Sequence, residues 1–168
     1  MKHLTLVRHA KSSWKDPDLT DFDRPLNKRG KNDLPEMAER LNLQQIIPDL
    51  IITSGARRAL TTATAIQKRL KISEDNFVIQ PEVYESCSET LLYLLQNCPD
   101  HTRHLMLVGH NPGLETLGFY LCQQHVAKFP TAAVMHIHLS IKNWQELAEG
   151  CGTIELFDYP KKHQTFPA

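Results

Sequence analysis

The feature that most constrains this chain is an apolar run, Leu4-Thr5-Leu6-Val7, that leads directly into Arg8 and His9. Short apolar runs with β-branched members are typical of buried strands. In an open α/β sheet, ligands bind beyond the carboxyl ends of the strands. The run therefore predicts that Arg8 and His9 lie at the mouth of a site. A histidine there can act as a nucleophile, a base, a metal ligand or a plain polar residue.

Strand and helix patterns alternate along the rest of the chain. Apolar or alternating runs predict further strands at 48–53, 77–79, 104–108, 133–141 and 152–158. Apolar residues at helical spacing predict helices at 27–42, 55–70, 86–95 and 112–124. This alternation predicts an α/β fold, a three-layer α/β/α sandwich around a mostly parallel central sheet.

Residues that favour helix starts precede most of these helices. Asn27 and Ser54 are expected N-caps, and Ser86-Cys87-Ser88-Glu89 fits a capping box. Asn111 is an expected cap with Pro112 as the first helical residue.

Two segments depart from the regular pattern. Residues 10–26 form a long polar connection, which we interpret as an ordered loop over the site, with Trp14 and Phe22 as apolar anchors. Pro35 lies inside the first predicted helix, so a kink or a restart is expected near Asp33.

Composition limits the class of protein. A chain of 168 residues with 41% hydrophobic and 23% charged residues predicts a single globular domain over 1–168, with a loose tail at 160–168. Lysine plus arginine equals aspartate plus glutamate, which argues against a nucleic-acid binder. The start of the chain carries no leader pattern and no apolar run approaches about 18 residues, so we expect a cytoplasmic protein without membrane association.

The cysteines, Cys87, Cys98, Cys122 and Cys151, have no metal-type spacing and are expected to be reduced and mostly buried.

Three predicted strand ends carry similar chemistry. Gly109-His110 ends one strand as Arg8-His9 ends the first, and Ser54 ends another shortly before Arg57 and Arg58. If these strands are neighbours, imidazoles and guanidiniums converge at one edge of the sheet, beside helix N-termini that also attract anions. Arginine forks match phosphate oxygens, so the pattern predicts a site for a phosphate dianion.

The motifs at these positions resemble the histidine phosphatase superfamily, the phosphoglycerate-mutase-like group. The resemblance rests on Arg8-His9-Ala10, on Arg58-Ala59-Leu60-Thr61-Thr62-Ala63 and on Gly109-His110-Asn111-Pro112, in the family's order. The chain length and Asp23-Arg24-Pro25-Leu26 resemble the small phosphohistidine phosphatases of the SixA type. The resemblance implies a phosphoglycerate-mutase-like fold and covers residues 4 to about 120.

The resemblance also implies roles for individual residues. His9 would attack phosphorus and carry a phosphoryl group, which water would then release. Arg8, Arg58 and His110 would hold the phosphate oxygens, with His110 most useful when protonated, and Arg24 would join the phosphate-binding set. Since guanidiniums supply the positive charge, the mechanism requires no metal and no cofactor.

Other positions are less settled. Glu85 stands where larger relatives carry a glutamate proton donor, and we expect it to matter for ester substrates more than for phosphohistidine. Arg57 competes with Arg58 for the pocket, and the register of the arginine-alanine block favours Arg58. Ala10 stands where the family usually has glycine, and Thr61 stands where many members have glutamine.

Three functions fit these observations. The first is a phosphatase acting on phosphohistidine in proteins, or on related phosphomonoesters, through a phosphorylated His9. The second is a phosphatase for small phosphorylated metabolites or sugars, and the third is a module that binds phosphate without turnover. A substrate panel separates the first two, and failure to trap a phosphoenzyme would support the third.

Metal binding and docking provide alternative interpretations of some polar residues. His136 and His138 have a zinc-type spacing, but we favour an exposed polar strand face, and His3, His101, His104, His125 and His163 are interpreted as surface residues. Asp16, Asp18, Asp21 and Asp23 could bind a cation, although we favour a role in diluting nearby positive charge. The basic residues are either a solvated rim or a docking surface for a phosphorylated protein; they are Lys11, Lys15, Lys28, Arg29 and Lys31.

Overall fold

The computed structural model describes residues 1–163. Its strands are β1 (Lys2–Arg8), β2 (Leu50–Thr53), β3 (Phe77–Ile79), β4 (His104–Gly109), β5 (Val134–Leu139) and β6 (Gly152–Asp158). Its α-helices are α1 (Lys28–Leu43), α2 (Arg57–Leu70), α3 (Ser88–Gln96) and α4 (Gly113–Cys122). Of the predicted loose tail, residues 160–163 form a turn and 164–168 lie outside the described residues.

The strands form one six-stranded sheet in the order β3-β2-β4-β1-β5-β6. The β3-β2, β2-β4 and β4-β1 pairs are parallel, whereas β5 runs antiparallel to both of its neighbours. The predicted mostly parallel sheet is therefore confirmed. In the β1-β4 register Arg8 lies opposite Gly109, so His9 and His110 leave the sheet at the same edge.

Helices cover both faces of this sheet and complete the three layers. Leu4 and Leu6 of β1 belong to the core that α3 and α4 bury, and Val7 belongs to the core beneath α1 and α2. This division follows from the strand geometry, because successive side chains of a strand point to opposite faces. Helices therefore pack against both faces of the central strand β1, and this packing fixes the position of the residues that follow it.

Most predicted helix caps are wrong in detail. Asn27 does cap α1 and accepts a hydrogen bond from the amide of Gly30 at 2.8 Å. Helix α2 begins two residues later than a Ser54 cap would allow, because Ser54 is the last residue before a turn and its hydroxyl accepts the amide hydrogen of Ala56. Helix α3 is preceded by Cys87 without a side-chain cap, so the capping box does not form.

The start of α4 also lies later than predicted, since Pro112 is the N-cap and Gly113 the first helical residue. The side chain of Asn111 still accepts the amide hydrogen of Glu115, at 3.3 Å. In α1 the predicted restart near Asp33 is wrong, because the helix is continuous through Pro35. Pro35 is exposed, so water can satisfy the carbonyl that lacks its amide partner.

The cysteine expectation holds only in part. The structure gives all four thiols as free, with Cys87 exposed and the other three half-buried rather than fully buried. Burial raises the pKa of Cys98 and of Cys122 to about 11, so both stay protonated at neutral pH. Among residues 1–163, no helix combines the length and the apolar composition that crossing a membrane would need.

Candidate active site

The two strand-end histidines lie side by side. The ring centroids of His9 and His110 are 5.2 Å apart, with an angle of 51° between the ring planes. The parallel pairing of β1 and β4 produces this proximity, and the amide of His9 donates to the carbonyl of Gly109 at 3.1 Å. The predicted convergence of the two imidazoles is present in the structure.

The ring of His9 is fixed in one tautomer. Its Nδ1 lies 2.8 Å from the backbone carbonyl oxygen of Ala10, and since a carbonyl only accepts, Nδ1 carries the hydrogen. The lone pair of a neutral ring is therefore on Nε2. The pKa of His9 is lowered to about 3: burial is the largest cause, the hydrogen bond to Ala10 opposes it, and the charges of His110, Arg58 and Arg8 add to the lowering. Desolvation contributes more to this shift than the neighbouring arginines do.

Helix α2 is tied to the segment after His9 through a buried threonine. The amide of Ala10 donates to Oγ1 of Thr62 at 3.0 Å, and that hydroxyl donates to the carbonyl of Arg58 at 2.8 Å. Thr62 is fully buried. Sequence reasoning did not assign it a role, although a polar residue at a core-facing helical position is the signal that could have found it.

The structure distinguishes the two arginines of the α2 first turn. Arg58 is buried, with 7% of its surface exposed, whereas Arg57 is exposed. The charge of Arg58 acts on both His9 and His110, where it lowers the pKa of each. Arg58, rather than Arg57, is therefore the guanidinium beside the two imidazoles.

Arg8 lies at the same edge, half-buried. Its Nη1 donates to the carbonyl of Phe129 at 3.0 Å, and the side chain of Asn111 donates to the same carbonyl. Its Nε is buried and has no hydrogen-bond partner within residues 1–163. Buried N–H groups are rarely left unpaired in proteins, so this donor is suited to an anionic ligand.

His110 has a hydroxyl on one side and an unpaired nitrogen on the other. Its Nε2 lies 2.8 Å from Oγ of Ser54, while its Nδ1 is buried without a partner in the described chain. When the Ser54 hydroxyl donates to Nε2, Nδ1 carries the hydrogen and can donate it to a ligand oxygen. Burial, followed by Arg58, lowers the pKa of His110 to about 4. His110 is therefore neutral in the ligand-free protein near pH 7, and the expectation that it acts in protonated form beside a bound phosphoryl group stays a prediction.

The loop at 10–26 brings the carboxylate of Asp21 to this edge, although the sequence did not predict Asp21 as part of the site. Asp21 Oδ2 accepts from Nη2 of Arg58 at 3.0 Å and from the hydroxyl of Tyr84 at 2.5 Å. The Tyr84 hydrogen bond and those from Arg24 and Arg58 hold the pKa of Asp21 well below its usual range. Tyr84 packs edge-on against His110, with 5.6 Å between the ring centroids.

Arg24 holds the same loop together. Its Nε donates to the carbonyl of Ser13, Nη1 to Asp21 and Nη2 to the hydroxyl of Ser12. Its guanidinium lies over the Trp14 ring, 3.2 Å from the centroid. The structure therefore places Arg24 against the loop and, through Asp21, in indirect contact with Arg58.

The two expected anchors of this loop behave differently. Trp14 is 75% exposed and supports Arg24 from outside, so it is not a buried anchor as predicted. Phe22 packs edge-on against Tyr84, with 5.1 Å between centroids. The loop is thus attached to the site through Phe22, Asp21 and Arg24.

Within the described residues, Glu85 makes no hydrogen bond or ion pair to the cluster formed by Arg8, His9, Arg58 and His110. Its side chain is exposed and its backbone has φ of 55°, in the left-handed region. The neighbouring Tyr84, not Glu85, supplies the side chain that reaches Asp21 and His110.

A second group of histidines lies elsewhere, and it corrects two interpretations from the sequence. His3 and His104 are half-buried rather than surface residues. His136 is also largely buried, with 12% of its side chain exposed, and lies 3.5 Å from Glu155 instead of on an exposed face. Neither residue of the predicted His136–His138 pair is next to His9 along the sheet, because His138 pairs with His3 and His136 pairs with Thr5.

Comparison with known proteins identifies the family. The family model of the histidine phosphatase superfamily, branch 1, matches residues 4–87. An uncharacterized chloroplast protein of Arabidopsis thaliana is 30% identical over 154 residues, which cover 86% of this chain and 70% of that protein. The chain belongs to the histidine phosphatase superfamily.

Solved structures of this superfamily share the fold. A protein of Agrobacterium tumefaciens assigned as the phosphohistidine phosphatase SixA is 28% identical with a TM-score of 0.82, covering 95% of this chain and 98% of that one. The protein histidine phosphatase SixA in complex with tungstate is 20% identical with a TM-score of 0.81, covering 96% and 99%. Both structures match nearly the whole chain and show the same fold. Together with the family model, the Agrobacterium tumefaciens structure supports phosphatase activity on a phosphorylated substrate.

Proposed function

We propose that this protein hydrolyses phosphohistidine in proteins through a phosphoryl group carried transiently on His9. The observation that carries the proposal is the state of the His9 ring, which is neutral and lies beside Arg8, Arg58 and His110. The Ala10 carbonyl holds its Nδ1–H, and Nε2 has no hydrogen-bond partner among the described residues. A neutral imidazole with one unprotonated nitrogen is the form that attacks phosphorus.

The first step forms a bond between Nε2 of His9 and phosphorus while the phosphorus–nitrogen bond of the substrate breaks. A substrate ring that is protonated on its other nitrogen leaves as neutral imidazole. The His9 ring keeps its Nδ1 hydrogen and becomes positively charged, and the Ala10 carbonyl at 2.8 Å stabilises that charge. In the second step water attacks phosphorus, the electron pair returns to Nε2, and the water proton leaves with the phosphate.

The surrounding groups stabilise charge on the transferred phosphoryl oxygens. Arg58 provides donors, as do Nε of Arg8 and Nδ1 of His110, which have no other hydrogen-bond partner within residues 1–163. Phosphoryl transfer depends mainly on positioning and on such electrostatic stabilisation. Ser54 acts through His110, since its hydroxyl selects the tautomer that presents Nδ1–H.

The substrate class follows from the leaving group. An imidazole with a reference pKa of ~6.5 departs without strong acid assistance, whereas the alkoxide of a phosphate ester needs a proton donor. Glu85, the expected donor, is exposed and makes no hydrogen bond to the cluster within the described residues. This arrangement favours phosphohistidine over phosphate esters.

We infer that Arg24 contributes indirectly. Its guanidinium is occupied by Ser13, Ser12 and Asp21, and Asp21 in turn contacts Arg58. Arg24 thus positions the carboxylate that faces Arg58, instead of binding phosphate itself.

A substrate panel with a phosphoenzyme trap tests the proposal. The wild-type protein should release phosphate from a phosphorylated histidine protein and, when quenched in acid-free buffer, carry a phosphoryl group that is stable to alkali and labile to acid. His9→Ala should remain folded by circular dichroism and lose both signals. Faster turnover of sugar phosphates than of phosphohistidine would favour a small-molecule phosphatase, and phosphate binding without any phosphoenzyme would favour a binding module.

The role of Glu85 is tested by Glu85→Gln on both substrate types. We expect kcat for an aryl or alkyl phosphate ester to fall about tenfold and kcat for phosphohistidine to change less than twofold. Only the ester needs a proton donor, and Glu85 would supply the proton by moving from its exposed position to the leaving group. Glu82→Gln, an exposed neighbour in the same segment, serves as the control. Equal losses on both substrates would contradict the distinction.

A further inference from the structure

A cluster of imidazoles lies at the end of the sheet opposite His9. The rings of His3 and His136 are stacked, with 5.2 Å between centroids and 5° between planes, and His104 and His138 lie beside them. These side chains come from β1, β4 and β5, and Glu155 of β6 joins them. The mechanism at His9 uses none of them.

We propose that His3, His136 and Glu155 form a binding site for a divalent transition metal of the Zn²⁺ type. Nε2 of His136 lies 3.5 Å from Oε2 of Glu155, and Nε2 of His3 lies 3.7 Å from the same oxygen. One ligand atom from each of the three residues lies within 4.8 Å of the others. Tetrahedral zinc with bonds of about 2.0–2.1 Å separates its ligands by about 3.3 Å. The two histidine–carboxylate distances are therefore within a few tenths of an ångström of that value, and the 4.8 Å limit leaves at most about 1.5 Å of side-chain movement to close the site.

A chain of hydrogen bonds leaves the correct nitrogen of His136 free. Nδ1 of His104 lies 3.1 Å from the carbonyl of Ile47, which can only accept, so the neutral His104 ring has its lone pair on Nε2. That nitrogen lies 2.7 Å from the Thr5 hydroxyl, which therefore donates to it. The same hydroxyl then accepts Nδ1–H of His136 at 2.8 Å, which leaves Nε2 of His136 with its lone pair facing Glu155.

Such a relay is what metal sites use to orient their histidines. A ligating histidine almost always donates its other ring hydrogen to a neighbouring acceptor, which fixes the tautomer and the ring direction. Thr5 is fully buried, so its hydroxyl is held in place by the sheet.

The backbone of β6 is bent where the carboxylate is needed. The β5-β6 pairing pairs His136 with Leu156 but Ile137 with Ile154, so Glu155 is the extra residue of a bulge. Bulges redirect side chains, and this one brings Glu155 to the side of the sheet where His3 and His136 lie.

The site is separate from the phosphatase centre and open to solvent. Six residues of strand separate His3 from His9, a distance of about 20 Å at ~3.3 Å per residue. The side chains of His3 and Glu155 are 37% and 44% exposed, so an ion can enter from solvent, and His136 forms the inner wall. A metal there would join β1, β5 and β6 and would stabilise the folded state by mass action.

Titration of chelator-treated full-length protein with Zn²⁺ tests the proposal by calorimetry and by the melting temperature. We expect one ion per chain and a melting temperature that rises with Zn²⁺ concentration. Glu155→Gln and His3→Ala, both at partly exposed positions that tolerate change, should each weaken Zn²⁺ binding at least tenfold. His101→Ala, an exposed histidine elsewhere, should bind like the wild type.

Co²⁺ provides a spectroscopic readout that does not depend on stability. The wild type should show visible absorption of tetrahedral or five-coordinate Co²⁺, and Glu155→Gln should lose it. Thr5→Val, which removes the relay but keeps the shape, should weaken binding by about 10–100-fold. Binding that survives both Glu155→Gln and His3→Ala unchanged, or a Co²⁺ spectrum of the aqueous ion only, would overturn the proposal. Phosphatase activity should be the same with and without the chelator, which separates this test from that of the proposed function.

Discussion

The carboxylate of Asp21 contacts the guanidinium of Arg58, which is the group that would bind phosphate. The Asp21 carboxylate and a phosphate bound at Arg58 would repel each other. Two like unit charges about 6 Å apart repel by about 3 kcal/mol at an effective dielectric of ~20. Because the Asp21 side chain is 44% exposed, solvent screening reduces this repulsion to about 1 kcal/mol. The carboxylate therefore opposes tight retention of phosphate, which helps an enzyme that must release phosphate as product.

We predict that Asp21→Asn binds inorganic phosphate about five- to tenfold more tightly than the wild type, because the repulsive charge is gone while Arg58 remains. The measurement is the inhibition constant of phosphate. Asp16→Asn, a carboxylate of the same loop that contacts no guanidinium among the described residues, should leave the constant unchanged. Weaker phosphate binding in Asp21→Asn would show that Asp21 mainly holds Arg58 in place.

Ser54 contributes through the ring that it orients. We predict that Ser54→Ala lowers kcat about tenfold with little change in KM, because loss of one hydrogen bond lets His110 adopt the tautomer with no hydrogen on Nδ1. In a His110→Ala background the same substitution should have less than a twofold effect, since the two residues act as a unit. Additive effects would indicate that Ser54 only stabilises the fold; Ser140→Ala, at an exposed serine, is the control.

At the scale of elements, the site depends on how closely α1 and α2 approach the segment after β1. Gly30 in the first turn of α1 lies against Lys11, and a Cβ there would be 2.2 Å from the Lys11 carbonyl oxygen. The amide of Asn27 also donates to that carbonyl, and the Ser12–Leu26 bridge closes the loop beside it. The position of the loop, and with it Asp21, is therefore fixed by the contact between α1 and the backbone.

We predict that Gly30→Ala lowers the free energy of unfolding by about 1–3 kcal/mol, because rigid backbone must move to admit the methyl group. Gly118→Ala in α4 is the matched control: its Cβ would meet the flexible Met135 sulfur at 2.9 Å, and both substitutions share the same gain in helix propensity. Denaturant unfolding measures both. A Gly30→Ala protein as stable as Gly118→Ala would contradict the close-approach argument.

At the scale of the whole molecule, burial of neutral histidines couples folding to pH. The two histidines of the site contribute to this coupling, as does His104, whose pKa burial also lowers to about 4. The pKa of His9 is lowered to about 3 and that of His110 to about 4, whereas an unfolded histidine has a pKa of ~6.5. Between these values the unfolded chain binds more protons than the folded protein. The contribution of these two histidines to the free energy of unfolding is therefore fully present above about pH 6.5, and it is lost as the pH falls towards 4.

We predict that unfolding free energy at pH 5 is lower than at pH 7.5 by up to about 2 kcal/mol for each of the two histidines. Denaturant titrations at the two pH values, in the presence of a chelator, measure the difference. A His9→Ala/His110→Ala double variant should show a smaller pH dependence, and an unchanged one would rule out these residues as its source. In the folded protein, kcat/KM should fall only near pH 4, where the imidazoles of His9 and His110 become protonated.

Local sequence was sufficient to predict the fold class and the residues at the strand ends. The apolar run before Arg8-His9 and its repeat before Gly109-His110 each determine where a strand stops, and side chains at strand ends meet when the strands are neighbours. The N-terminal caps of α2, α3 and α4 were predicted less accurately. The side chains of Ser54, Ser86 and Asn111 make hydrogen bonds that depend on the turns around them, and local sequence does not specify those turns.

Only tertiary structure decided which groups the site contains beyond those motifs. Asp21 and Tyr84 meet 63 residues apart in sequence, and nothing in their local patterns predicts this contact. The low pKa of His9 results mainly from burial, which depends on the packing of whole elements. The His3–His136–Glu155 group likewise depends on strand order and on a bulge, so its members have no recognisable spacing. Sequence determined what each segment becomes, because periodicity is local, while charge, burial and partners arise from segments that are distant along the chain.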